Sequence, residues 1–270
     1  QHMRHTHLPE HKFVKGQPET GVEMAEDLER IAMNFGGENI AACIIEPIAG
    51  STGTLVPPKG YLKRIRDICN KHGILLIFDE VITGWGRTGS AFAAQEWNVT
   101  PDIMTMAKAT TNGVVPMGVV AVKEEIYDSV LDASSAPEGT PELFHGYTYS
   151  GIPVAVAAAL AVQDIFDKED LINRAKEMSP YFQDGLHSLK DLKEIVSIRG
   201  YGMMGGIEIN MKEKPGKAGY QVFKHCYDAG VNFKNTGDNL IIAPQFICEK
   251  KHIDEIIEKL RTGISNYTKS

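Results

Sequence analysis

Apolar residues recur along this chain at two different periods, and the alternation between them lays out its elements. Val22, Ala25, Leu28, Ile31 and Phe35 fall three or four apart, the spacing of a helix buried along one face, and Gly36 and Gly37 end the run. Thr20 and Glu23 at its start predict a capping box. A short continuous apolar stretch, 40–45, reads as a buried strand. Helical spacing returns from Pro58 through Tyr61, Ile65 and Ile68 to Gly73, and a second buried strand follows at 74–78. Further strands are expected at 103–106 and 117–122, and an Ala-rich helix from Pro153 to about Phe166. Helices alternating with wholly apolar strands predict an α/β fold, a mostly parallel sheet with helices on both faces.

After Lys168 the pattern changes. A long helix over 171–189 precedes strands at 194–199 and 203–209, a helix at 218–229, short strands at 231–233 and 240–243, and a last helix from 250 to about 264. This mixed order predicts a small α+β domain, with the boundary near residue 166: one unit over 1–166 and a second over 167–270.

Composition excludes more than it selects. Of 270 residues, 43% are hydrophobic and 23% charged, the balance of an ordinary globular protein. A formal charge of -7 without a basic stripe argues against a nucleic-acid partner. No apolar stretch approaches 18 residues, so no membrane span is expected. Cys43, Cys69, Cys226 and Cys248 are scattered without ligand spacing, which predicts free thiols, a reducing and therefore cytoplasmic setting, and no structural metal.

Candidate chemistry comes from two residues that each end an apolar run, Asp79 and Lys108, 29 positions apart. Parallel strands would deliver this carboxylate and amine to one edge of a sheet, where open α/β folds place their ligands. Either residue alone reads as a solvated strand end; together they suit pyridoxal phosphate chemistry. A lysine amine condenses with that cofactor's aldehyde, and an aspartate keeps its pyridine nitrogen protonated. Val81, two positions past Asp79, would share its side of an extended chain and could pack on the ring, or could be an ordinary core valine.

The longer segments around these residues carry a resemblance. DEVITGWGRTG (79–89), AKATTNG (107–113) and HGYTYSG (145–151), with GQPE (16–19), EPIAGS (46–51) and LVPPKGYL (55–62), resemble the class III aminotransferases over nearly the whole chain. Within them the chain looks most like the omega-amino acid:pyruvate, or beta-alanine:pyruvate, group. The resemblance implies fold type I of pyridoxal phosphate-dependent transferases, with 1–166 as the C-terminal part of the large cofactor domain and 167–270 as the small domain. It also implies that Lys108 is the catalytic lysine and that Asp79, Val81 and Glu46 belong to the cofactor site. Thr148 resembles the threonine that holds the cofactor phosphate of the opposite subunit, so a homodimer or tetramer with shared sites is expected. Ile82 stands where many members carry a glutamine that bonds the ring hydroxyl.

Lys234 aligns with the arginine that pairs the pyruvate carboxylate, and supplies charge without a bidentate fork. The implied substrates are an amine donor resembling beta-alanine and pyruvate as acceptor, giving alanine and an aldehyde or ketone. Two alternatives stay open: a class III relative with another outcome (a taurine:pyruvate transaminase, a decarboxylase or an aminomutase), or a truncated, non-catalytic piece. The second arises because the upstream phosphate loop and ring-stacking aromatic of the family lie outside these 270 residues. GYGMMG (200–205) is formally a dinucleotide fingerprint, but a strand-like GIEI follows it where a helix would be needed.

Overall fold

The computed structural model describes residues 1–133, 148–210 and 214–267. In chain order its helices are α1 (Glu26–Phe35), α2 (Tyr61–His72), α3 (Ala93–Glu96), α4 (Glu124–Asp132), α5 (Pro153–Lys168), α6 (Leu171–His187), α7 (Lys217–Asp228) and α8 (Lys250–Tyr267). The strands are β1 (Ala42–Ile45), β2 (Leu75–Asp79), β3 (Ile103–Met106), β4 (Val119–Val122), β5 (Ile195–Tyr201), β6 (Met204–Ile209), β7 (Lys234–Thr236) and β8 (Asn239–Ile242).

The first sheet has the order β1-β2-β3-β4. Its first three strands are parallel and β4 closes it antiparallel, Thr105 facing Val120. α2 shows why the alternating pattern works. Tyr61, Leu62, Ile65, Ile68 and Cys69 form one buried face, and Gly73 turns the chain at φ 69 straight into β2. That face packs with Leu28 and Ala32 of α1 and with Cys43, Leu76 and Phe78 of the sheet.

The second sheet is antiparallel, in the order β5-β6-β8-β7. Its core joins Ile198, Ile207 and Leu240 to Phe182 and Leu186 of α6, Val222 of α7 and Ile253 and Leu260 of α8. α5 adds Val162 and Phe166 to this core. Fold class and element order agree with the pattern of the sequence.

Three local expectations differ from the structure. The capping box at Thr20 and Glu23 does not form: the chain enters α1 through a 3-10 turn, 22–25, led by Gly21 at φ 106, without a side-chain cap. The strand expected at 231–233 lies instead at Lys234–Thr236. Val81 is not on an extended chain, because the backbone turns directly after β2, so the alternation of sides does not apply to it.

The formal dinucleotide fingerprint is a β-hairpin pressed against the rest of the chain. Gly200 pairs with Gly205 across β5 and β6. A Cβ at Gly202 would stand 2.3 Å from the Arg87 carbonyl oxygen, and one at Gly206 2.2 Å from that of Gly53. These glycines let two backbones approach; they do not cradle phosphate. The seam is tied by Met203 N–H to Arg87 O (2.9 Å), by Arg87 Nη1 to the carbonyls of Met203 (2.8 Å) and Pro244 (2.7 Å), and by Tyr201 Oη to Glu96 (2.6 Å).

Candidate active site

Three parallel strands end at the same side of the first sheet, and each delivers one ionisable residue there. Glu46 directly follows β1, Asp79 is the last residue of β2, and Lys108 stands two residues past β3. This carboxyl edge is where open α/β sheets bind ligands, since the loops beyond it are free of the crossover helices.

Asp79 is followed by a second carboxylate, Glu80, and their surroundings separate their roles. Glu80 is fully buried and accepts hydrogen bonds from Thr83 Oγ1 (2.5 Å), Ala93 N–H (3.0 Å) and Ala94 N–H (2.8 Å). It holds the start of α3, and burial raises its pKa despite those bonds. Among the described residues Asp79 accepts a hydrogen bond from Val81 N–H at 3.0 Å, which folds the turn back over β2. Ile82, next in that turn, packs against the small cluster formed by Ile48, Val56 and Met204.

Lys108 has an unusual backbone. Its φ of 46 lies in the left-handed region, which costs a non-glycine residue about 1–2 kcal/mol. Local bonds oppose that cost. Thr110 N–H and Thr110 Oγ1–H both donate to Ala107 O at 3.0 Å, Thr111 N–H donates to Lys108 O at 3.3 Å, and Thr111 Oγ1 donates to Val115 O at 2.5 Å. Trp85 Nε1–H, reaching from the Asp79 side, donates to Thr110 Oγ1 at 3.0 Å.

The Lys108 amine is held below the usual lysine range. Burial is the largest cause; the Asp79 and Glu46 charges oppose it and the Lys234 charge adds to it. Lys108, Asp79, Glu46 and Lys234 thus form one electrostatic group. The turn after β1 completes it: Glu46 Oε2 accepts from Gly50 N–H at 2.9 Å, and Lys234 Nζ donates to Ser51 Oγ at 3.3 Å. Lys234 opens β7, on the second sheet, so both halves of the fold contribute.

Val81 is half-buried beside Asp79. Thr148 is exposed in the turn leading to α5, and α5 packs on the Lys108–Thr110 turn. Residues 145–147 of the Thr148 motif lie outside the described residues. Ser51, Trp85 and Thr110 were not anticipated as parts of the site. Their partners lie far away in sequence, and only the Trp within a glycine-rich turn offered a signal.

A carboxylate and an amine of depressed basicity beside one another, with a second cation facing them, fit pyridoxal phosphate: the amine can meet an aldehyde, and the carboxylate can meet a protonated ring nitrogen. No group of three or more His, Cys, Asp or Glu able to hold a metal occurs among the described residues, and no helix there is long and apolar enough to cross a membrane.

Comparison with known proteins identifies the family. The family model "Aminotransferase class-III" matches residues 2–264. An omega-aminotransferase of Caulobacter vibrioides is 50% identical over 96% of this chain and 59% of its own length. An omega-amino acid–pyruvate aminotransferase of Pseudomonas putida is 43% identical over 95% of this chain and 58% of its own. The crystal structure of the omega transaminase from Pseudomonas jessenii in complex with PMP superposes with a TM-score of 0.88 at 30% identity, covering 94% of this chain and 57% of that one. The chain therefore spans just under three-fifths of the length of these relatives. With the family model matched over almost all its length, and with the fold type I architecture of the solved transaminases, the chain belongs to the class III aminotransferases, a pyridoxal phosphate-dependent family.

Proposed function

We propose that this chain carries the catalytic lysine and the ring-binding carboxylate of an omega-amino acid:pyruvate aminotransferase. Transfer would run from an amine donor resembling beta-alanine to pyruvate, giving alanine and an aldehyde or ketone. The observation that carries the reading is that Asp79 ends β2 at the same sheet edge as Lys108 and that its charge acts on the Lys108 amine, whose basicity burial lowers. Relatives named for omega-amino acid–pyruvate and beta-alanine–pyruvate transfer support the substrate class.

Pyridoxal phosphate, when bound, supplies an aldehyde for Lys108 and a ring that accepts electrons from the carbon losing its proton. The chain's residues do the rest. Lys108 would hold the cofactor through its amine, and the same Nζ, when free, would take up and return the proton that the transfer moves. Both tasks need an unprotonated amine near neutral pH, which burial favours. Asp79 would keep the ring nitrogen protonated, Val81 would pack on the ring, and Glu46 would set the potential and shape of the turn beside it.

Lys234 gives the acceptor carboxylate a point charge, held in place by Ser51. Thr148 binds the cofactor phosphate of a second subunit, which makes the working unit a homodimer or a pair of dimers. Residues 1–166 act as the C-terminal part of the cofactor domain and 167–270 as the small domain. Four cysteines, all free and buried, suit a cytoplasmic setting.

The test is to incubate the protein and a Lys108→Ala variant with pyridoxal phosphate, reduce with borohydride and map the modified peptide by mass spectrometry. A pyridoxyl group confined to Lys108, absent from the variant, supports the reading, and alanine formation from pyruvate and beta-alanine then tests the reaction. Labelling scattered over surface lysines overturns it for this chain.

A further inference from the structure

The left-handed turn at Lys108 is held from outside by one side chain that the proposed chemistry does not use. Thr110 Oγ1 gives its hydrogen to Ala107 O and is left with its oxygen as an acceptor. Trp85 Nε1–H, which can only donate, fills that position at 3.0 Å. The pair therefore has a single sense: indole to hydroxyl, hydroxyl to the carbonyl immediately before Lys108.

Trp85 is itself fixed. Its backbone turns at φ 60 between two glycines, its ring lies 5.1 Å from that of Phe92, and it packs against the core of the second sheet and its helices. It sits six residues past Asp79, in the same loop. One rigid ring thus joins the loop bearing the carboxylate to the turn bearing the amine, independently of the sheet.

We infer that Trp85 is a positioning residue for Lys108: its indole N–H locks the Thr110 hydroxyl onto the Ala107 carbonyl and so fixes the backbone from which the amine projects. The inference rests on Lys108 being the reactive lysine. The charges that face the amine are Asp79, Glu46 and Lys234, and all three are kept in variants changed at 85 or 110.

The experiment compares Trp85→Phe, Thr110→Val, their double variant and Thr110→Ser with the parent. In the cofactor-free protein, trace acylation with acetic anhydride across pH, mapped by mass spectrometry, gives the titration midpoint of Lys108. In the cofactor-charged protein, the pH midpoint of the visible cofactor band gives a second reading. Trp85→Phe and Thr110→Val should each raise the Lys108 midpoint by about half a pH unit, roughly threefold less free amine at neutral pH. The double variant should shift it no further than either single change, and Thr110→Ser should restore it.

An unchanged midpoint in either single variant, or shifts that simply add in the double one, overturns the inference. Should Trp85→Phe fail to fold, Thr110→Val removes the same bond from its other end while keeping the side-chain shape. Failure of the parent to take up cofactor at Lys108 would count against the proposed function, whereas the acylation midpoints would still decide the role of Trp85.

Discussion

Arg199, within β5, donates its Nε–H to the carbonyl oxygen of Gly53 across 2.7 Å, tying the second sheet to the turn that carries Glu46 and Ser51. The same guanidinium, 4% exposed, also donates to Ser197 Oγ and Glu208 at 3.0 Å each and to Asn239. Arg199→Met would keep the length but strand four acceptors. The expected loss of stability is about 3 kcal/mol, the low end for breaking a buried pair because Glu208 retains access to water. Urea unfolding measures it, and a change within 0.5 kcal/mol or so would show the tie to be dispensable.

Two glycine substitutions separate close approach from flexibility. Gly206→Ala puts a Cβ 2.2 Å from the Gly53 carbonyl oxygen, a backbone atom that cannot swing aside. It should destabilise by about 1–3 kcal/mol or more. At Gly118 the nearest atom to a built Cβ is Met106 O at 3.9 Å, so Gly118→Ala should be near neutral. Thermal melting of the two variants side by side checks the contrast.

Acid should weaken the fold before the carboxylates titrate. Burial, with help from the Arg199 charge, lowers His7 from the ordinary 6.5 to about 4, and burial, helped by Lys15, does the same to His187. The unfolded chain therefore takes up these protons first. Stability from this source is complete above pH 6.5 and is lost progressively as pH falls from 6.5 to 4. His187 Nε2 is buried without a hydrogen-bond partner among the described residues, so His187→Gln should flatten the fall without unfolding the protein. Urea midpoints taken across this range report the slope.

Lys234 presses on Lys108 as well as offering, in the proposed reaction, a charge to the acceptor. Its charge lowers the Lys108 pKa, so Lys234→Ala should move the Lys108 acylation midpoint upward. With pyruvate as acceptor the same variant should raise KM by about tenfold, the loss of one exposed charge-assisted contact, with a smaller effect on kcat. Lys234→Arg should keep the low midpoint. Parallel titration and steady-state kinetics would reveal a Lys234 that does neither.

The frame of the fold was legible because its strands are short apolar runs set between amphipathic helices. Asp79 and Lys108 stood out because charge abruptly ends such runs. β7 was misplaced because it is an edge strand made of Lys234, Asn235 and Thr236, whose pairing is set by β8. Val231 and Phe233 carry the apolar alternation but not the ladder. The Gly237–Asp238 pair between Thr236 and Asn239, glycine first at φ 56, was the hairpin signal that would have corrected it. Arg87 was invisible for another reason: its Nη1 donates to the backbone carbonyl oxygens of Met203 and Pro244, which any residue can supply. Trp85 and Thr110 meet only because two strand ends lie side by side.

The left-handed backbone at Lys108 sets two pressures on one position against each other. Folding alone favours glycine or asparagine at φ 46, since either adopts that conformation with less strain. Only lysine brings the amine. A library randomised at this codon and selected for thermal resistance should drift to glycine or asparagine, while one selected for amine transfer should hold lysine and accept the weaker fold. Codon 108 is then a gauge of which demand a population of variants is meeting.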